Sequence, residues 1–169
     1  MVQIRKLQLD DADVLSQLMD NINIWNNLSD RIPFPYTRQD ALAFIKLSHT
    51  DGNLHNFAIT YQNNFCGVIG FVRQTDIHKL SVELGYWIGE AHWHKGIATH
   101  AIHLATEWAF SNLDINRIFA NVFEHNHGSI KALLKNNYKQ EAVLNKAILK
   151  MEKYWMNTFL LNCVDEQIH

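Results

Sequence analysis

Residues 90–101 read EAHWHKGIATHA, and they stand between two segments of different character. Residues 80–89, LSVELGYWIG, have the composition of a strand, and residues 98–110, ATHAIHLATEWAF, have the composition of a helix. A helix start leaves several N–H groups unpaired at the positive end of the helix dipole, which suits an anion such as phosphate. Gly96 and the small Ala98 keep side chains out of this corner.

Lys95 adds a positive charge to the same turn. A turn between a strand and a helix often contains glycine for steric reasons alone, so the turn by itself leaves two interpretations open. One is a pyrophosphate cradle, and the other is a simple reversal of the chain.

The whole chain predicts one globular domain, residues 1–169. Apolar residues make up 47% of the chain, charged residues 19%, and the net charge is −2 with His neutral. We therefore expect neither nucleic acid nor a membrane as a partner. Cys66 and Cys163 form no CxxC pair, and the N-terminus has no signal-peptide core, which together indicate the cytoplasm.

Hydrophobic periodicity predicts a mixed α+β domain, a central sheet covered by helices. Strands are expected at residues 2–9, 56–61, 65–72, 81–88, 115–123, 138–149 and 153–164. One helix is expected to begin after an N-cap at Asp10, and a second, residues 38–47, after an N-cap at Thr37, with Asp40 three positions on. Two further helices are expected at residues 98–112 and 129–136. Gln62, Asn63 and Asn64 predict a hairpin turn between the second and third strands.

Four stretches carry a resemblance to a known family, and they lie in that family's order along the chain. They are IRKLQLDDADVL (4–15), IPFPYTRQDALAFI (32–45), ELGYWIGEAHWHKGIATHA (83–101) and NHGSIKALLKNNYKQEA (126–142). Together they resemble the GNAT superfamily of acyl-CoA-dependent N-acetyltransferases, in its RimJ/RimL-like branch. The third stretch resembles the acyl-CoA motif, and the fourth resembles N-x-x-S followed by a helix.

The resemblance implies a three-layer α/β/α fold with a mostly antiparallel, twisted sheet of about seven strands and about four helices. The fourth and fifth strands, residues 81–88 and 115–123, should splay apart. Acetyl-CoA is implied as the co-substrate, with no metal. Its pyrophosphate would lie on the amides of His94, Lys95, Gly96, Ile97, Ala98 and Thr99.

The same resemblance implies how the acyl group is held. The pantetheine arm would run beside strand 81–88, and an N–H at Trp87 or Ile88 would hold the thioester carbonyl. Such a donor stabilises the oxyanion that forms when an amine attacks. Asn126 would hydrogen-bond the pantetheine, although an N-cap role explains the same residue.

The chain departs from the family pattern at four positions. His94 and His100 stand where Gly and Glu are usual, and Asn137 and Ala142 replace two glycines. Asn tolerates positive φ, so Asn137 can still close a helix. His94 is more serious, because a conformation open only to glycine would strain the loop or distort the cradle.

Glu83 is the first candidate for the base that deprotonates the amine, directly or through water, and Glu124 is the second. Ser129 would donate a hydrogen bond to the departing sulfur, and Tyr36 would line the acceptor pocket. Each has a plainer interpretation: a solvated carboxylate for Glu83, a first-turn residue for Ser129 and loop packing for Tyr36.

Other functions remain open at this point. His92, His94, His100 and His103 suggest a metal site, but no Cys or acidic ligand completes a familiar set. A ping-pong route needs an acylated nucleophile, and Cys66 lies in an apolar run, so direct transfer is preferred. A non-catalytic acyl-CoA sensor is the third possibility.

The resemblance implies an acceptor such as the N-terminal α-amine of a ribosomal protein, and a small-molecule amine is the alternative. A homodimer is possible.

Overall fold

The computed structural model describes residues 1–163, and its strands are β1 (Val2–Lys6), β2 (Leu54–Tyr61), β3 (Asn64–Arg73), β4 (Ser81–Ile88), β5 (Arg117–Phe123), β6 (Lys139–Lys150) and β7 (Lys153–Cys163). They form one seven-stranded sheet in the order β1-β2-β3-β4-β5-β7-β6. Neighbouring strands are antiparallel except β4 and β5, which are parallel. The mostly antiparallel sheet is thus confirmed. Val164, predicted as the end of the last strand, lies outside the described residues.

The helices are α1 (Ala12–Met19), α2 (Ile22–Trp25), α3 (Arg38–Thr50), α4 (Ile97–Asn112) and α5 (His127–Leu134). One buried apolar cluster packs α4 and α5 against the sheet, and a second packs α1 and α3 against it. The two clusters make the three α/β/α layers that the family resemblance implied. The short α2 was not predicted, since four residues are too few to show a helical period. None of the helices described in residues 1–163 has both the length and the apolarity needed to cross a bilayer.

The predicted N-cap of α3 is confirmed. The Thr37 hydroxyl accepts from Asp40 N at 3.2 Å, and Thr37 N donates to the Asp40 carboxylate at 2.8 Å, which makes a reciprocal capping box. The predicted N-cap of α1 at Asp10 is wrong. A 3-10 turn, Leu9–Asp11, comes first, and Asp11 accepts from Gln8 N at 2.8 Å and from Arg5 at 2.7 Å.

Two turns depend on asparagine at positive φ. Gln62 and Asn63, at φ 51° and 65°, close the β2–β3 hairpin as predicted. Asn137 adopts φ 62° after α5, so asparagine does take the place of glycine there.

Candidate active site

The site begins where β4 and β5 separate. Their pairing covers only Ser81–Glu83 on β4 and Arg117–Phe119 on β5, whereas β4 pairs with β3 as far as Ile88. Among residues 1–163, residues 84–88 therefore have no backbone partner on the β5 side, and the predicted splay is confirmed. A cavity of about 920 Å³ fills the gap and continues past the start of α4 and α5.

The β3–β4 ladder fixes which backbone groups face this gap. Gly89 N donates to Cys66 O at 2.8 Å, which makes that pair a hydrogen-bonded one. Such pairs alternate along an antiparallel ladder, so Trp87 directs its backbone groups at β3, and Tyr86 and Ile88 direct theirs at the gap. The Ile88 carbonyl already accepts from Trp93 Nε1 at 2.7 Å. Of the two predicted donors, Ile88 N–H is therefore the one the geometry favours for a ligand carbonyl.

The amides of residues 94–99 form the corner at the start of α4. None of them donates to a backbone carbonyl elsewhere in residues 1–163. Gly96 is the N-cap at φ 74°, and His94 lies at φ 59°, in the left-handed region. Side chains reach that region less readily than glycine does, but they do reach it. His94 therefore keeps the loop shape, and His94, Gly96, Ile97, Ala98 and Thr99 all line the cavity.

The positive charge at this corner differs from the prediction. Lys95 Nζ donates to Ala91 O at 2.9 Å and does not line the cavity, so its side chain braces the turn. Lys131 on α5 and Lys135, the residue after that helix, line the cavity instead. Sequence reasoning passed over both, because lysines on a short helix usually form a solvated face.

Glu83 lines the cavity at the point where the strands separate. One of its oxygens, Oε1, accepts from Asn121 Nδ2 at 2.9 Å. Glu124, the second candidate base, does not line the cavity, and its Oε1 lies 3.4 Å from Met156 N. The geometry thus favours Glu83 over Glu124, and the role of Glu83 as a base stays a prediction.

Ser129 and Tyr86 place two hydroxyl groups against each other in the cavity wall. Ser129 Oγ donates to the Tyr86 hydroxyl at 2.7 Å. Burial raises the pKa of Tyr86 to about 12, against the opposing effect of the Ser129 hydrogen bond, so the phenol stays protonated near neutral pH. Asn126 caps α5 by accepting from Ser129 N at 3.2 Å, and it too lines the cavity. Tyr86 was missed, because a tyrosine on a strand is more often a core residue.

The far end of the cavity is bounded by the segment 23–32 and by the β6–β7 hairpin. Buried Lys150 joins them, because its Nζ donates to Leu28 O at 2.8 Å and pairs with Asp30 at 3.0 Å. Asn27 Oδ1 is buried there and has no hydrogen-bond partner within residues 1–163. Tyr36, the predicted pocket residue, lies in the core beside α1 and α3 and does not line the cavity. Its assignment to the substrate stays a prediction that the geometry does not favour.

Two alternatives find no support in the geometry. Within the part of the chain that the structure describes, no three His, Cys, Asp or Glu side chains are grouped as metal ligands. Cys66 is buried, donates to Ile59 O at 3.3 Å, and burial raises its pKa to about 11. A thiol held protonated in a core is a poor nucleophile.

Comparisons with known proteins agree with this geometry. Residues 2–139 match the family model described as "Acetyltransferase (GNAT) domain". An uncharacterized N-acetyltransferase, p20, from Bacillus licheniformis is 31% identical over 145 residues, covering 83% of this chain and 80% of that protein.

Two solved structures share the fold at low identity. A ribosomal-protein-S5-alanine acetyltransferase from Vibrio fischeri has a TM-score of 0.85 and 17% identity, over 98% of this chain and 94% of that one. The spermidine N-acetyltransferase from Vibrio cholerae, in complex with CoA and spermine, has a TM-score of 0.82 and 20% identity, over 96% and 95%. Their acceptors differ, so the shared fold does not select an acceptor.

Proposed function

This chain belongs to the GNAT family of acetyl-CoA-dependent N-acetyltransferases, and on that premise we propose that it acetylates the N-terminal α-amine of a protein, of the ribosomal-protein type, by direct attack in a ternary complex. Acetyl-CoA is the co-substrate. The free edge of β4 and the unpaired amides of residues 94–99 have the shape and the donors that a pantetheine diphosphate needs. The same proposal includes a cytoplasmic location and a homodimer.

The chemistry follows from the residues around the gap. Glu83 takes the proton that an attacking ammonium must lose, directly or through one water. The N–H of Ile88 holds the thioester oxygen and stabilises the negative charge that develops on it. Tyr86 gives the departing sulfur its hydroxyl proton, which in the structure is directed at Ser129 O 3.3 Å away, and Ser129 Oγ donates to the phenol oxygen. Cys66 offers no nucleophile for a covalent intermediate, which supports direct attack.

The number of acidic side chains that line the cavity is the observation that supports this choice of acceptor. Among the described residues its lining holds two, Glu83 and Asp30, and Asp30 is paired with Lys150. One carboxylate without a cationic partner matches an acceptor with one ammonium group. A polyamine carries several, and each would enter this cavity without its own counter-charge.

An acceptor panel tests this proposal. We expect kcat/KM for a short peptide with a free N-terminal Ala or Ser to exceed that for spermidine by about tenfold or more, equivalent to about 1.4 kcal/mol. Thiol release from acetyl-CoA measures both, and the N-formylated peptide is the control. A higher kcat/KM for spermidine, or for an amino sugar, would move the protein to the small-amine acetyltransferases.

Replacing Tyr86 by Phe tests the proton donor while keeping the ring. We expect kcat to fall about tenfold, less than the hundredfold or more typical of a general acid, because a thiolate leaves readily. The KM for acetyl-CoA should hardly change. Since the pKa of Tyr86 is raised to about 12, the wild-type pH–rate profile should show no basic limb from this group near neutral pH. An unchanged kcat in Tyr86→Phe contradicts the assignment.

A further inference from the structure

Three polar side chains form a line on one face of the sheet and end at the reacting site. Asn157 Nδ2 donates to Asn121 Oδ1 at 2.7 Å, and Asn121 Nδ2 donates to Glu83 Oε1 at 2.9 Å. The three residues come from β7, β5 and β4, which are neighbours in the sheet. Asn157 is 6% exposed, so one end of the line lies in the protein interior.

The chemistry of the groups fixes the direction of the line. An ionised carboxylate only accepts hydrogen bonds, so Asn121 must turn its NH₂ group towards Glu83. Its carbonyl oxygen must then face Asn157, which has to donate. An Asn amide can otherwise turn over and exchange its oxygen and nitrogen. The hydrogen bond from Asn157 is what holds Asn121 in the one orientation that suits Glu83.

The line of polar side chains crosses the sheet where the pairing of β4 and β5 ends. Backbone pairing between β4 and β5 ends at Glu83 and Phe119, and Asn121 is two residues further along β5 on the same face. Its side chain therefore spans the gap at the point where the two strands begin to diverge. Within the described residues, the one hydrogen bond of the Asn157 amide goes to Asn121, and its Oδ1 has no partner.

We propose that Asn121 is a positioning residue for the base Glu83, and that Asn157 orients Asn121. Asn121 occupies one carboxylate oxygen and leaves the other free for the amine or for a water. A carboxylate held in one rotamer at a cleft accepts a proton with little reorganisation when the amine attacks. The proposal rests on the proposed function, in which Glu83 takes the proton.

The test is a double-mutant cycle between Asn121→Leu and Glu83→Gln, read as kcat by thiol release with the preferred amine. We expect Asn121→Leu to lower kcat about tenfold in the wild-type background, less than the hundredfold or more that base catalysis supplies, because the Glu83 carboxylate itself remains. The KM for acetyl-CoA should not move. In the Glu83→Gln background the same change should alter kcat by less than about twofold, because effects of residues that act as a unit are not additive.

Asn157→Leu removes the second donor with little change of volume, and it should lower kcat in the same direction by a smaller factor. Asn162→Leu is the matched control on β7, because the Asn162 amide donates to Asn136 O at 3.2 Å, outside the site. This control should leave kcat unchanged. Thermal melting shows that each variant is folded, and Asn121→Ala replaces Asn121→Leu if the leucine variant does not fold.

The outcomes separate the two proposals. If Asn121→Leu lowers kcat equally in both backgrounds, Asn121 has only a structural role and the inference fails. If Asn121→Leu leaves kcat within about twofold of wild type while Glu83→Gln lowers it strongly, the base stands and its positioning by Asn121 is refuted. If Glu83→Gln itself keeps wild-type kcat, the assignment of the base fails, and the inference fails with it.

Discussion

Replacing Glu83 by Gln is expected to lower kcat by about a hundredfold or more, the contribution usual for a positioned general base. The amide has almost the shape of the carboxylate and can still accept from Asn121, but it cannot take the proton of the attacking ammonium. Because the free edge of β4 and the cradle stay intact, the Kd for acetyl-CoA should hardly change. Thiol-release kinetics and calorimetry measure the two quantities separately.

Glu124→Gln is the matched control for this experiment. Glu124 follows the end of β5, its carboxylate accepts from Met156 N at 3.4 Å, and it does not line the cavity. We expect Glu124→Gln to change kcat by less than about twofold, as surface changes away from a site usually do. A large loss in Glu124→Gln with little loss in Glu83→Gln would exchange the two assignments.

Replacing Ala98 by Pro is expected to raise the Kd for acetyl-CoA by about tenfold or more, the cost of one strong hydrogen bond to a charged group. Ala98 is the second residue of α4, so its N–H has no acceptor within the helix. A proline in the first turn keeps the helix but replaces that N–H with a ring carbon. The change therefore removes one donor of the cradle and places an apolar group against the phosphate.

Ala98→Ser is the control, because it changes the side chain and keeps the amide. Its Kd should stay close to that of wild type. Thermal melting without ligand should show that α4 is intact in both variants. If Ala98→Pro binds acetyl-CoA as tightly as wild type does, the amide of residue 98 takes no part in binding the diphosphate.

Local sequence signals predicted much of the fold. Every predicted strand exists, because short alternating or continuous apolar runs bounded by polar turn residues are typical of strands in a sheet. Thr37 and Asp40 are three residues apart, so their capping box could be recognised in the sequence. Asp10 was a wrong N-cap, because Arg5 and Gln8 draw Asp11 into a contact that helix propensity does not describe.

The candidate site could be predicted only where its parts are adjacent in sequence. Residues 94–99 form one turn, so the cradle could be proposed from one stretch. Tyr86 and Asn121 could not be predicted as site residues from one stretch. Tyr86 contacts Ser129, and Asn121 contacts Glu83, only because segments distant in sequence lie together in the fold. Lys95 shows the converse error: it lies within the cradle in the sequence, yet its side-chain amine donates to Ala91 O and not to the cavity.

The crystal structure of the protein with bound acetyl-CoA tests the central claim most directly. The account predicts diphosphate oxygens within hydrogen-bond distance of the amides of residues 94–99, the pantetheine along residues 84–88 of β4, and the thioester oxygen on the N–H of Ile88. A diphosphate bound elsewhere, or a His94 ring that fills the corner at the start of α4, would contradict it.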